Sequence, residues 1–122
     1  MAASQVSLGF APGTKIFTET DLENTAVAVI AAAATIYMIE IDNTANPAQV
    51  NYVKLYDTAG AITVGTTVPD WVIRIPAGVK RSISMADGFA MANGIAAACV
   101  TAGGTGGTSS PTSSVVVKMV YT

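Results

Sequence analysis

The sequence predicts an all-β protein: a single-domain antiparallel β-sandwich, jelly-roll-like or closed as a small barrel, with an extended N-terminal arm. Three observations carry that expectation. Valine (14), isoleucine (10) and threonine (15) outnumber leucine (3), glutamate (3), lysine (4) and glutamine (2), so strand formers dominate and strong helix formers are scarce apart from 21 alanines. Short alternating apolar runs are separated by Gly, Pro, Asn-Gly and Asp-Gly turns at sandwich-like intervals. A length of 122 residues supports one core. We divide the chain into an arm over residues 1–13 and a sandwich over 14–122.

In the arm, Val6, Leu8 and Phe10 alternate ahead of an Ala-Pro-Gly turn. Short strands follow over 16–20 and 26–30, the second with Val27 and Val29 on one face. The alanines at 31–34 are too few to hold a helix and read as a tight connection. Residues 35–42 place Tyr37, Ile39 and Ile41 on one face and Ile36, Met38 and Glu40 on the other, and we assign the Tyr37 row to the core. The segment Asn-Thr-Ala-Asn-Pro at 43–47 ends that strand through side-chain mimicry of the backbone and a fixed proline φ.

Residues 50–57 are expected to pair with 35–42 as a hairpin, with Val53 and Leu55 inward. Tyr52, Lys54 and Tyr56 then face outward, the lysine between two rings on a partly exposed face. Trp71, Ile73 and Ile75 alternate with Val72 and Arg74, and Pro-Ala-Gly at 76–78 forms a type I turn into a strand over 79–85 with Ile83 and Met85 inward. An Asp-Gly turn at 87–88 and an Asn-Gly turn at 93–94 precede a strand over 95–101 containing Cys99. The stretch 102–113 is rich in Gly, Ser and Thr, but Val115, Val117, Met119 and Tyr121 alternate strictly after it, so it is a long loop inside the domain.

The residues that are absent exclude much chemistry. With no histidine there is no His-based nucleophile system and no His-ligated zinc. One cysteine excludes an intrachain disulfide, and Cys99 among alanines and Val100 reads as a small buried hydrophobe. The six basic residues, Lys15, Lys54, Arg74, Lys80, Arg81 and Lys118, are scattered in a chain of net charge -2, so no cationic stripe for nucleic acid exists. No secretory signal is visible at 1–10, and the alanine-rich stretch 26–39 is too short to cross a bilayer.

The Gly-rich run at 103–107 lacks the lysine and strand-to-helix setting of a phosphate loop. Asp42, Asp57, Asp70 and Asp87 sit at strand ends or turns, where turn chemistry explains them without catalysis. No calcium-loop spacing is present. Trp71 with Tyr52 and Tyr56 offers a sugar-stacking platform, against which core packing is the simpler use of Trp71. No cofactor is implied.

From Tyr37 to Thr122 the chain carries Ile-Asp-Asn at 41–43, Val-Lys-Leu-Tyr-Asp at 53–57 and Val-Gly-Thr-Thr-Val-Pro-Asp at 64–70. Ile-Pro-Ala-Gly at 75–78, Phe-Ala-Met-Ala-Asn-Gly at 89–94, Thr-Ser-Ser-Pro at 108–111 and Val-Val-Val-Lys-Met-Val at 115–120 continue the pattern. In these segments it resembles small β-rich virion proteins of tailed bacteriophages, some of which act as head decoration or cement proteins. The resemblance implies a non-enzymatic virion protein, made in the bacterial host cytoplasm. Its partners would be the major capsid protein of a phage head and further copies of itself, as a dimer or trimer. On this reading Val6, Leu8 and Phe10 contact the shell or a neighbouring subunit, and Arg74 and Arg81, on neighbouring strands, face an acidic partner surface. A phage tail or adaptor component and a carbohydrate-binding β-sandwich module are the competing expectations.

Overall fold

A computed structural model of the chain describes residues 13–122, so the candidate contacts Val6, Leu8 and Phe10 lie outside the described residues. Eight strands follow one another: β1 (Lys15–Glu19), β2 (Val27–Ile30), β3 (Ala34–Asp42), β4 (Asn51–Tyr56), β5 (Trp71–Ile75), β6 (Lys80–Met91), β7 (Ile95–Val100) and β8 (Val116–Tyr121). They form two four-stranded sheets, ordered β1-β8-β3-β6 and β2-β7-β4-β5, here called sheets A and B. Every pairing is antiparallel. Strand β1 pairs with β8, β2 with β7, β3 with β6 and β4 with β5. The chain is thus one long hairpin rolled onto itself, the arrangement of a jelly roll, and the expected sandwich is realised as two sheets rather than a closed barrel.

The inward rows interdigitate between the sheets. Ile39, Ile41, Val117 and Met119 of sheet A meet Val53, Leu55, Ile73, Ile75 and Cys99 of sheet B, with Val115 at the entry to β8, and all are buried. Trp71 and Ile83, also assigned to the core, are half-buried and pack against it from one margin. Leu22, which sequence reading left in a connection, is fully buried, and its N–H donates to the Val115 carbonyl at 2.9 Å.

Three expectations require correction. Tyr37 is half-buried and lies outside the core, while Ile36 is fully buried, because the ladders on both sides of β3 shift register between Ile36 and Met38. That bulge inserts one residue and reverses the face of everything before it. The Asp-Gly pair at 87–88 is not a turn between strands. It sits inside the 12-residue β6, where four residues, 85–88, lie opposite the single bulge residue Tyr37. Gly88 adopts φ +77°, and a Cβ there would strike the Thr35 methyl and approach the Tyr37 ring to 3.0 Å. Finally, β3 and β4 are not a hairpin. The connection 43–50 carries the chain from sheet A to sheet B, and the Pro-Ala-Gly turn carries it back from β5 to β6.

Candidate functional site

At one end of the sandwich, the 43–49 connection is built on buried amides. Asn43 Nδ2 donates to the Gln49 carbonyl (2.9 Å) and the Pro76 carbonyl (3.0 Å), and its Oδ1 accepts from Asn46 Nδ2 (3.0 Å) and Asn51 Nδ2 (2.8 Å). Asn46 also reaches the chain entering β8, donating to the Ser113 carbonyl (3.0 Å) and accepting from the Ser113 N–H (2.8 Å). A cleft of about 270 Å³ opens beside these groups, lined by Asn46, Pro47, Gln49, Thr112 and neighbouring small residues. Gln49 and Thr112 close on each other across it at 3.0 and 2.9 Å. Apart from Asn51 Oδ1, which is buried without a partner, the amide groups of Asn43, Asn46, Gln49 and Asn51 hold a corner where three segments meet. Sequence reading took 43–47 for an ordinary loop and missed Asn43, Asn46 and Asn51; the clustering of asparagines around Pro47 was the available signal.

The outer face of sheet B departs furthest from expectation. Lys54 does not lie on a partly exposed face: it is fully buried, and its Nζ donates to the Gly104 carbonyl at 2.6 Å and the Gly107 carbonyl at 3.2 Å. Burial lowers its pKa from the ordinary lysine value. Tyr56 is also buried, and with Ala96 and Ala98 it forms a second apolar cluster that Ala26, Ile62 and Val64 cover. The Gly-rich loop 102–113 and the connection 57–70 thus fold down onto the sheet. Gly103 lies on the Tyr52 ring, where a Cβ would come within 2.9 Å of two ring carbons. Gly65, at φ +97°, packs against the Thr108 methyl, so the two covering segments touch. Asn24 ties the loop from the other side, its Nδ2 donating to the Thr108 carbonyl at 2.8 Å.

This arrangement decides two candidate chemistries. The loop turns carbonyl oxygens toward an ammonium, the opposite polarity from a loop whose N–H groups cradle phosphate. Tyr52 and Tyr56 lie under the loops, and Trp71 packs its ring on Phe89 (centroids 4.9 Å apart) and the core, so the three rings do not form an exposed stacking platform. The signal for this covering lay in β7, which is apolar at every position, as a strand dry on both faces must be.

Sheet A presents a different outer face. The ladder aligns Thr18, Lys118, Glu40 and Ser82 in one row and Ile16, Val120, Met38 and Ser84 in the next. Lys118 is exposed, Lys80 pairs with Glu40 at 3.4 Å, and Ile16 is 74% exposed. At the margin where β5 and β6 face each other, Trp71 meets Phe89 at one end and Arg81 Nη1 donates to the Arg74 carbonyl at 3.4 Å at the other. Arg74 and Arg81 are both exposed, and they stand on edge strands of different sheets rather than on neighbours in one sheet.

The aspartates serve the backbone. Asp57 accepts from the N–H groups of Ala92 (3.1 Å), Asn93 (2.8 Å) and Gly94 (3.3 Å), which lower its pKa, the Asn93 N–H most. Asp70 accepts from the Asp57 N–H at 2.7 Å, and Asp42 from Thr44. Cys99 is buried in the core between the sheets, and desolvation pushes its thiol up to about 12, which keeps it protonated near neutral pH. Among the described residues no group of three Cys, Asp or Glu side chains is placed to hold a metal ion, and no helix is long and apolar enough to cross a membrane. No family model, curated protein or solved structure matches the chain.

Proposed function

We propose that this is a non-enzymatic virion structural protein, a decoration or cement protein that docks on the outer surface of a phage head and stabilises the shell. Two considerations support the reading: the resemblance of residues 37–122 to small phage virion proteins, and the division of the surface. The outer face of sheet B is occupied by the chain's own loops, whereas no described connection covers the outer face of sheet A, where Ile16, Thr18, Ser82, Ser84 and Lys118 are exposed around a buried Val120. The second observation carries the proposal, because a cement protein needs a rigid body with one broad face free for the shell. Arg74, exposed at the β5 edge on the outer side of sheet B, and Arg81, exposed at the β6 edge, supply cations for a carboxylate-bearing capsid surface that reaches round the β5–β6 margin. The arm residues Val6, Leu8 and Phe10 supply apolar contacts to the shell or to a neighbouring copy.

Mixing the purified protein with empty phage heads and counting bound copies by gel densitometry or electron microscopy tests this. Saturable binding at hundreds of copies per head is expected. Reversing both charges, Arg74→Glu with Arg81→Glu, should weaken occupancy at fixed protein concentration by at least tenfold. Absence of head binding would end the decoration reading.

A further inference from the structure

The free edge of β6 carries an inference about self-association that does not depend on any capsid. Antiparallel ladders alternate bonded and non-bonded pairs. The Asn43 N–H donates to the Val79 carbonyl at 2.9 Å, which fixes the phase: Asn43–Val79, Ile41–Arg81 and Ile39–Ile83 are the bonded pairs between β3 and β6. The backbone N–H and C=O groups of Lys80, Ser82 and Ser84 therefore point away from β3. Among the described residues β6 pairs with β3 alone, so this edge has no partner strand. Beside it, Ile83 and Met85 are half-buried core residues at the sandwich margin, and Trp71 and Phe89 close the same margin further along.

The chain contains one segment that matches such a slot. Over residues 5–10, Val6, Leu8 and Phe10 alternate with Gln5, Ser7 and Gly9, the pattern of a strand with one apolar face. Within its own molecule Phe10 cannot reach that edge, so the full segment cannot lie along it. Strand β1 stands at the opposite edge of sheet A, so a strand added outside β6 lies four spacings away, about 19 Å. The ladder sets Lys15 level with Phe89, leaving the edge at Ser82 about 13 Å further along the strands. The five residues from Phe10 to Lys15 span at most about 17 Å.

We propose that residues 5–10 of one copy add as a strand to the free edge of β6, at residues 80–84, of a second copy. Val6, Leu8 and Phe10 then continue the inner layer beside Ile83, and Gln5, Ser7 and Gly9 face outward beside Ser82 and Ser84. Donor and acceptor lie at opposite edges of the same sheet, so two copies that exchange segments reciprocally form a two-fold dimer, and copies that pass them on head-to-tail form a ring. Lys80 and the 85–88 bulge bound the slot and limit it to a short strand.

Light scattering after size exclusion on the full chain, without capsids, tests the proposal. The expected mass is a small whole multiple of 12.4 kDa. Deleting residues 2–10 removes the donor and should give a folded monomer. The double change Ser82→Pro with Ser84→Pro removes outward-pointing donors without touching the β3 ladder, and should also give a monomer. Mixed, the two variants should form a 1:1 heterodimer, because each retains the half that the other lacks. If the proline variant does not fold, a fluorescent peptide of residues 2–12 replaces it as donor: binding to the deletion variant, lost with Leu8→Asp in the peptide, is expected. A monomeric full chain, an unchanged mass after the deletion, or failure of donor and acceptor to combine overturns the proposal.

Discussion

The two outer faces of the sandwich are built on the same ladder geometry and differ in what lies over them. On sheet A, Lys118 projects from a strand second from the edge into solvent. On sheet B, Lys54 projects from the corresponding position and is enclosed, because 57–70 and 102–113 fold over it. A lysine's place in an alternating strand thus gives its face but not its environment. The environment is set by what the connections do, and here the glycines decide it: Gly103 and Gly65 let backbone lie directly on Tyr52 and Thr108.

The largest effect is expected in β7, the strand that is dry on both sides. The Cys99 thiol, raised from 9.0 to about 12, stays protonated in the folded chain while the unfolded chain ionises. Its contribution is complete below pH 9 and is lost as pH rises toward 12, about 4 kcal/mol over three pH units. Tyr56, also raised by burial, acts in the same sense above its ordinary value of 10.0. Lys54 acts in the opposite sense, since the unfolded chain keeps its proton up to 10.5 and stability rises with pH below that. Denaturant titrations of wild type and Cys99→Ala from pH 8 to 11 cancel the other two groups. The stability difference between the two proteins should shrink or reverse as pH rises, and parallel profiles would show that Cys99 is wet.

Next in size, Lys54→Met should cost about 2 kcal/mol, because the Gly104 and Gly107 carbonyls lose a charged donor. Amide exchange should accelerate through 102–109 ahead of the rest of the chain. Gly103→Ala should cost about 1 kcal/mol by pushing the loop off the Tyr52 ring, read as a lower melting temperature. Lys118→Met, the same change on the open face, should stay within about 0.5 kcal/mol in the same denaturant series.

Much of the sandwich was legible because most inward rows follow a clean period of two. Ile39, Ile41, Val53, Leu55, Ile73, Ile75, Val117 and Met119 all lie where alternation puts them. Alternation failed where the backbone inserted a residue: the bulge at Tyr37 exchanged the faces of Tyr37 and Ile36. It also gave no sheet order, so β3 and β4 read as a hairpin when the Asn43 corner instead moves the chain between sheets. Of the candidate contact surface, sequence supplied Arg74 and Arg81 as exposed cations on strands. Their meeting across the β5–β6 margin depends on the rolled topology, which no local pattern encodes.

Lysine acylation distinguishes the outer face that 57–70 and 102–113 enclose from the one that no described connection covers. Brief treatment of the native protein with an amine-reactive ester, followed by peptide mass spectrometry, gives a labelling rate for each lysine. Lys118 and Lys80 should label rapidly, with Lys54 at least a hundredfold slower until denaturant is added. Labelling of Lys54 at the Lys118 rate would contradict that enclosure, and with it the assignment of sheet A as the face left for a partner.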